Sequence, residues 1–371
     1  MTKWAGFGAR RASTFEDPVA YERQGLRFFK NMVHRSLIKT APLLIASLFF
    51  GCGTDTPSTD PVKVPTTIAE VNALIVEDPR NPVNYGLRAR IHEANDSLGA
   101  AVKDWNRAIL LDSTTTKWRI ALGDLYYRKV DLSNAEIQFI QAMRVAPDSN
   151  VARLKLAELR LLKAEFTEAM ELTNDALRID DQNARAYFLK GWIHRQAGDT
   201  ALAISSYRTA VERDPNMYDA YVALGLLHAA KRDPLAMAYY HAATELRPAS
   251  VEAWYARGIF AQETGKDSIA LACYDRIKAI DPKNPTSWYN SGYVLLEHLD
   301  RIPEARAEFS QAIEVLPTYA AAYYNRGLTY ELENNLDSAL VDYKKALALQ
   351  PDMDLAADGL GRLQARGLRV R

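Results

Sequence analysis

Small apolar residues recur along this chain with a fixed period. Eight alanines stand 33 to 35 residues apart, namely Ala101, Ala135, Ala169, Ala203, Ala236, Ala270, Ala305 and Ala339. A second small residue precedes each of them, namely Ala89, Gly123, Ala157, Gly191, Gly225, Gly258, Gly292 and Gly327. Self-similarity at such a period is typical of stacked helical repeats, so the pattern predicts an all-α solenoid.

Large residues and prolines follow the same period. A large residue comes shortly after nearly every anchoring alanine, as Trp105, Phe139, Tyr207, Tyr240, Tyr274, Phe309 and Tyr343. Most units end at a proline, as Pro147, Pro215, Pro248, Pro282, Pro317 and Pro351. Proline lacks a backbone N–H and clashes with the preceding turn, so it ends the second helix of each unit. Small residues let the two helices of a unit approach closely, and the large residue fills the space between units.

The pattern resembles the tetratricopeptide repeat family, and the copy from Tyr323 to Pro351 resembles it most clearly. The resemblance implies a right-handed α-solenoid of eight helix–turn–helix repeats over residues 82–353, each with a helix A and a helix B. The copies cover residues 82–115, 116–149, 150–183, 184–217, 218–250, 251–284, 285–319 and 320–353. Position 1 of a repeat is the first residue of its copy.

Short helices are expected to cap both ends of the array. Residues 67–80 form an N-terminal capping helix, because Thr67 and Glu70 have the spacing of a capping box. Residues 354–371 form a C-terminal capping helix and tail. A terminal helix with one polar side covers the apolar surface that the last repeat would otherwise expose.

The N-terminal region carries the pattern of an export signal. Residues 41–51 are an apolar run of 11, preceded by Arg35 and Lys39, which is typical of a signal peptide over 32–51. The run ends in a sequence that resembles a bacterial lipobox, with Cys52 as the acylated residue. Residues 52–66 would then be a flexible tether. Residues 1–31 do not fit a signal peptide, so they are an uncertain leader and the true start is expected at Met32. The alternative is a short buried helix with an incidental cysteine.

The charge balance and the absence of catalytic motifs argue against nucleic-acid binding and catalysis. The chain has 46 basic and 46 acidic residues, and the first 51 residues hold 8 and 3 of them. From Cys52 onward 38 basic and 43 acidic residues remain, a net charge of −5, which argues against nucleic-acid binding. No phosphate-binding loop, nucleophile elbow or paired-cysteine motif is present. The sequence therefore predicts a non-catalytic protein without cofactor or metal.

The family resemblance places candidate binding residues on the concave side, which helix A lines. In this family, positions 2, 5, 6, 9, 12 and 13 point into the groove. The peptide-binding residues carried over in this way are Arg185, Phe188, Trp192, Arg195, Tyr255, Ile259, Gln262, Tyr289, Asn290, Tyr293, Tyr324, Asn325 and Glu331. The rings would bury apolar side chains of a peptide, and the amides would bond its backbone.

Three classes of function fit these expectations. The first is an interaction scaffold or adaptor, tethered by lipid to a bacterial envelope membrane and facing the periplasm or cell surface, with proteins or peptides as partners. The second is a cytosolic co-chaperone or assembly factor on the same repeats. The third is an enzyme or regulator that is active only with a partner.

Overall fold

The computed structural model describes residues 65–369, which are helical with no strand among them. The expected leader, signal peptide, lipidation site and nearly all of the tether (residues 1–64) lie outside this part. The chain divides into two compact units, the first ending at Ala197 and the second beginning at Gly198. Both units are built from helical hairpins, so the all-helical repeat fold expected from the sequence is confirmed.

Eighteen helices form the part of the chain that the structure describes. The first, α1, covers Ile68–Glu77, and the last, α18, covers Asp354–Ala365. The A helices of the eight repeats are α2 Pro82–Ala94, α4 Thr116–Arg128, α6 Asn150–Leu162, α8 Ala184–Gln196, α10 Tyr218–Ala229, α12 Val251–Glu263, α14 Pro285–Glu297 and α16 Ala320–Leu332. The B helices are α3 Leu98–Leu111, α5 Leu132–Val145, α7 Phe166–Ile179, α9 Thr200–Arg213, α11 Leu235–Leu246, α13 Asp267–Ile280, α15 Ile302–Val315 and α17 Leu336–Leu349. The first unit holds α1–α8 and the second holds α9–α18.

Side chains just outside the helices fix where they begin. The capping box of α1 is confirmed, because the Thr67 hydroxyl accepts from the Glu70 N–H and the Glu70 carboxylate accepts from the Thr67 N–H. Five A helices start after a serine or asparagine whose oxygen accepts a first-turn N–H, which offsets the missing intrahelical partners. These caps are Asn81, Ser149, Asn183, Ser250 and Asn284.

Small residues are required where the two helices of a repeat meet. All eight anchoring alanines are fully buried, and so are the aromatic residues that follow them in the B helices. A Cβ atom added to Gly225 would lie 2.5 Å from the Tyr240 ring, and one added to Gly292 would lie 2.7 Å from the Phe309 ring. Both distances are shorter than van der Waals contact, so the expected close approach of helices A and B is confirmed.

One residue in every A–B turn takes the left-handed backbone conformation. It is position 15 in seven copies and the next residue in the seventh copy, where the turn is longer, and these residues are Asp96, Val130, Ala164, Gly198, Arg232, Gly265, Asp300 and Asn334. Asp and Asn tolerate this conformation better than most other L-residues, and glycine adopts it freely. Val130, with φ at 60°, is the exception, because a β-branched side chain is strained there.

Replacing Val130 with glycine is expected to stabilise the first unit by about 1 kcal/mol. The change removes the left-handed strain of a β-branched residue, which exceeds the extra chain entropy that glycine brings to the unfolded state. Little burial is lost, since Val130 is 67% exposed. Urea unfolding of the variant measures the gain. The matched change Gly265→Val in the second unit, at φ 68°, should be destabilising. Equal urea midpoints for the parent and Val130→Gly would show that Val130 is not strained.

The side chain at position 4 ties helix A to the turn before it. In three copies an aromatic side chain donates a hydrogen bond to the carbonyl of a proline six residues earlier. The three bonds are Tyr85 hydroxyl to Pro79 at 3.0 Å, Trp254 indole to Pro248 at 2.9 Å and Trp288 indole to Pro282 at 3.1 Å. The same proline that ends helix B therefore anchors the next helix A.

Candidate binding surface on the A helices

All thirteen candidate binding residues lie on A helices, but their surroundings differ between the two units. Four are on α8, which belongs to the first unit, and nine are on α12, α14 and α16 of the second unit. The two units therefore differ in what their A helices offer a ligand.

In the first unit, neighbouring A helices are joined by ion pairs. Each acidic residue of one A helix meets a basic residue from the A helix of the next repeat. The pairs are Glu93 with Arg128, Asp124 with Lys155 at 2.9 Å, and Glu158 with Arg185 at 2.7 Å. The acidic groups on these helices are thus neutralised from within the protein.

The candidates on α8 contribute to this packing. Phe188 is 1% exposed and Trp192 is 7% exposed, so both rings are buried. The Arg185 guanidinium lies 5.1 Å from the centre of the Phe188 ring while it pairs with Glu158. Arg195 is half-buried. A ligand could therefore reach little more than the arginines of this set.

In the second unit, tyrosines and asparagines of successive A helices face each other. The Asn325 amide, 6% exposed, donates a hydrogen bond of 2.9 Å to the hydroxyl of Tyr289 in the preceding repeat. Asn290 stands at the equivalent position one repeat earlier and is wholly buried near the Tyr255 hydroxyl, whose pKa it lowers against the larger effect of burial. Its own amide makes no hydrogen bond of standard geometry. The Asn325 amide therefore joins two repeats, and both asparagines are buried rather than open to a peptide backbone.

Replacing Asn325 with alanine is expected to cost about 1–2 kcal/mol, because the buried Tyr289 hydroxyl loses its partner. Burial raises the pKa of Tyr289 to about 12, and Asn325 opposes that rise. Urea unfolding of Asn325→Ala, Tyr289→Phe and the double variant measures the coupling. The double variant should cost less than the sum of the two single changes. Strictly additive costs would show that the bond contributes nothing.

In the sixth and eighth repeats, position 12 of helix A carries an acceptor for the large residue of helix B in the same repeat. Gln262 accepts from the Tyr274 hydroxyl at 2.7 Å, and Glu331 accepts from the Tyr343 hydroxyl at 2.6 Å. Both acceptors are buried, at 7% and 5% exposure, so they are not placed to meet a ligand. The sequence holds a signal for this role, since repeats with phenylalanine at this site of helix B have Tyr127 or Leu296 at position 12.

Glu331 also holds the C-terminal capping helix. Arg362 of α18 donates to both of its carboxylate oxygens, at 3.0 Å and 2.8 Å. The Glu331 carboxylate is 4% exposed and the Arg362 side chain 31%. The hydrogen bond to Glu331 is the main reason that the pKa of Arg362 is raised. Three helices therefore meet at one carboxylate.

Some tyrosines and acidic residues on the A helices of the second unit are at least partly exposed. Ile259 and Tyr289 are buried, whereas Tyr255, Tyr293 and Tyr324 are partly exposed. Glu263 and Glu297 lie at position 13 of α12 and α14, where Glu263 is exposed and Glu297 is half-buried. We call these five residues, Tyr255, Tyr293, Tyr324, Glu263 and Glu297, the tyrosine–carboxylate face.

Residues 65–369 hold no group of three or more metal-ligating side chains, and none of their helices is long and apolar enough to cross a membrane. Cys273 is a free, buried thiol. Burial raises its pKa to about 11, and nearby Arg257 opposes the rise, so the thiol is protonated at neutral pH.

Family comparison agrees with the repeats seen in the structure. Models of the tetratricopeptide repeat match residues 184–217, 234–285 and 320–353. The first and last of these ranges coincide with the fourth and eighth copies. The chain is a tetratricopeptide repeat protein. Its described part consists of these repeats and the two capping helices.

Curated relatives share only part of their length with this tetratricopeptide repeat protein. It is 24% identical over 203 residues to DnaJ homolog subfamily C member 7 homolog from Dictyostelium discoideum, covering 53% of this chain and 34% of the relative. It is 32% identical over 108 residues to peptidyl-prolyl cis-trans isomerase FKBP4 from Homo sapiens, covering 27% of this chain and 22% of the relative. The chain spans 13% to 43% of the length of the curated relatives it matches.

Two solved structures are similar to parts of this chain. The MamA protein is 25% identical with a TM-score of 0.42, covering 45% of this chain and 92% of MamA. A tetratricopeptide repeat protein from Parabacteroides merdae is 18% identical with a TM-score of 0.42, covering 67% of this chain and 98% of that protein.

Proposed function

We propose that this protein is a non-catalytic scaffold that binds partner proteins through the A helices of its second unit. A lipid on Cys52 would tether it to a bacterial envelope membrane. Membership of the tetratricopeptide repeat family supports protein binding as its activity, since stacked repeats offer extended surfaces for partners.

The observation that carries this proposal is the tyrosine–carboxylate face. Tyr255, Tyr293 and Tyr324 come from three successive repeats and are half-buried, so part of each residue is accessible to a partner. Tyrosine is among the residues that most often carry interface energy, because a large rigid ring loses little conformational entropy on binding. The aromatic candidates of the first unit, Phe188 and Trp192, are buried, so the second unit is the favoured binding region.

Affinity capture from envelope extract tests protein binding. The bait is the chain from Gly53 to Arg371, and the test variant is Tyr255→Ala with Tyr293→Ala. The control variant is Tyr221→Ala with Tyr239→Ala, two half-buried tyrosines of the same unit whose rings face each other at 6.4 Å. A partner identified by mass spectrometry is then purified and titrated against all three proteins. Affinity lost with the test pair and kept with the control pair is expected. If both pairs of substitutions lowered the affinity equally, the tyrosine–carboxylate face would not be the binding site.

Tethering rests on the sequence around Cys52 and needs its own test. Cells expressing the parent or Cys52→Ser are fed a radiolabelled fatty acid, and membrane and soluble fractions are compared. We expect label and membrane association in the parent and neither in Cys52→Ser. If the parent carried no label and stayed in the cytosol, the hypothesis of an envelope adaptor would be wrong and that of a cytosolic assembly factor would be favoured.

A further inference from the structure

Three repeats, the first, sixth and eighth, carry an arginine at position 7 of helix A. In the first and eighth repeats this arginine forms a bidentate ion pair with an aspartate at position 23, on helix B of the same repeat. The pairs are Arg88 with Asp104, at 2.8 Å and 2.7 Å, and Arg326 with Asp342, at 2.8 Å for both bonds. In the sixth repeat position 23 is Cys273, whose buried thiol is neutral, so Arg257 lacks the acid that the other two arginines have.

Arg257 nevertheless lies in the same way as Arg326. The Nη1 of each donates to a hydroxyl on helix B of the preceding repeat, to Thr244 at 3.3 Å and to Ser310 at 3.4 Å. The backbones also agree, because a Cβ atom added to the glycine at position 8 would lie 3.1 Å from the Cβ atom at position 23 in both repeats. The Nε of Arg326 donates to Asp342, whereas the Nε of Arg257 is buried without a hydrogen-bond partner. The sixth repeat therefore keeps the donor side of the ion pair and has lost the acceptor.

A second arginine lies beside the same aromatic ring. The guanidinium carbon of Arg257 is 5.5 Å from the centre of the Trp254 ring, and that of Arg276 on α13 is 5.7 Å from it. The first repeat has the same arrangement around Tyr85, with its two arginines at 5.6 Å and 5.7 Å. We call Trp254, Arg257 and Arg276 the Trp254 cluster. It differs from the cluster of the first repeat mainly in the missing carboxylate.

The Trp254 cluster is accessible, and its charge is not compensated by the protein. Arg276 is exposed, and Trp254 and Arg257 are half-buried. Asp275, which precedes Arg276 in the sequence, is in an ion pair with Lys278 at 3.1 Å. Neither arginine of the cluster pairs with an acidic residue in the part of the chain that the structure describes. Two positive charges therefore remain beside one ring.

We propose that the Trp254 cluster binds an aspartate or glutamate side chain of a partner protein. A guanidinium presents donors in a planar fork that matches a carboxylate, and such charge-assisted bonds are stronger than those between neutral groups. The partner would supply from outside the acid that Asp104 and Asp342 supply from within in the other two repeats. This inference rests on the proposed function, protein binding, and assigns an acidic contact to residues other than those of the tyrosine–carboxylate face.

Peptides of defined charge test the proposal on the chain from Gly53 to Arg371. The probes are rhodamine-labelled peptides of four Gly-Asp-Ser units, with Asn and Lys versions of the same length, followed by fluorescence anisotropy. The Asp peptide is expected to bind about tenfold more tightly than the Asn peptide. The chain from Cys52 onward has a net charge of −5, so non-specific attraction would favour the Lys peptide instead. Equal binding of the three peptides, or tightest binding of the Lys peptide, would overturn the proposal.

Cys273→Asp supplies the missing acid from within and should therefore compete with the ligand. We expect it to weaken the Asp peptide about tenfold, and the neutral control Cys273→Ser to change binding less than about twofold. The urea midpoint of Cys273→Asp should be at least that of Cys273→Ser, because the new carboxylate pairs with Arg257 as in the first and eighth repeats. Equal peptide affinities of the two variants would overturn the proposal. So would a lower midpoint for Cys273→Asp, which would mean that Arg257 cannot take a carboxylate.

A second pair of variants separates the site from net charge. Arg276→Gln and Arg213→Gln each remove one positive charge from an exposed position on a B helix of the second unit, α13 and α9. Arg276→Gln should weaken the Asp peptide about fivefold, and Arg213→Gln less than about twofold. Equal loss with both would mean that net charge alone attracts the peptide, and the proposed site would be wrong.

Two further outcomes separate this inference from the proposed function and from self-association. If Tyr255→Ala with Tyr293→Ala abolishes binding of the captured partner while the three peptides bind alike, the scaffold function stands and the acidic contact does not. Sedimentation of the parent and of Cys273→Asp tests whether an acidic residue of a second copy occupies the Trp254 cluster. A dimer that Cys273→Asp dissociates would assign the cluster to that copy and overturn the proposal.

Discussion

Replacing Tyr240 with alanine is expected to destabilise the second unit by about 3–5 kcal/mol, because the substitution empties a space that two repeats share. Tyr240 is wholly buried, its ring lies against Gly225 of its own repeat, and it meets the Phe260 ring of the next repeat edge-on at 6.3 Å. The glycine cannot fill the space that the ring leaves. The cavity would therefore loosen the contact within one repeat and the contact between two.

The adjacent tyrosine provides the control. Tyr239 is half-buried and packs against His228 at 5.2 Å between ring centres, so Tyr239→Ala should cost less than about 1.5 kcal/mol. Urea unfolding gives the free energies, and hydrogen exchange shows whether α10, α11 and α12 lose protection together, as neighbouring repeats should. If the two substitutions lowered the free energy of unfolding equally, the register assigned to α11 would be wrong.

Replacing Glu331 with alanine is expected to cost about 2–3 kcal/mol. The substitution leaves the buried Tyr343 hydroxyl without its acceptor and Arg362 without its ion pair. Breaking a buried pair by removing one partner costs about 3–5 kcal/mol, and the partial exposure of Arg362 reduces that figure. The largest local effect should be on α18, which loses its ion pair with Glu331 of α16.

Hydrogen exchange in α18 is the direct measurement of this effect. Arg366→Ala serves as the control, because Arg366 reaches only the exposed side-chain oxygen of Asn334 among its described bonds. Loss of protection along Asp354–Ala365 is expected in Glu331→Ala and not in Arg366→Ala. Full protection of α18 in both variants would mean that apolar packing alone holds the capping helix.

The repeat register could be predicted from the sequence because packing leaves few choices at the contacts. Only a small residue fits where Gly225 meets Tyr240 and where Gly292 meets Phe309. These constraints recur in every copy, so eight weak signals reinforce one another. The capping box at Thr67 and Glu70 was predictable for a similar reason, since its spacing and chemistry are local.

The binding surface was harder to predict, because a polar residue on helix A can face either a ligand or the interior of the protein. Asn325 and Glu331 were expected to face a ligand, yet both are buried and bonded to tyrosines of the fold. The partners lie 36 and 12 residues away in sequence, beyond any local pattern. Comparing repeats would have exposed the second pairing, because a polar position 12 coincides with a tyrosine or tryptophan donor in helix B. Tyr255, Tyr293 and Tyr324 were named from their positions in the repeat, and they are half-buried.

The bond from position 4 to the preceding proline carbonyl has a consequence for how the chain acquires its structure. Each such bond closes a loop of only six residues, and the side-chain bonds between neighbouring A helices join residues 27 to 36 positions apart. Closing short loops costs little entropy, so contacts of this range form early and quickly. A newly synthesised hairpin can therefore dock as soon as one preceding repeat has emerged. The repeats can therefore fold one after another, in the order in which they are synthesised.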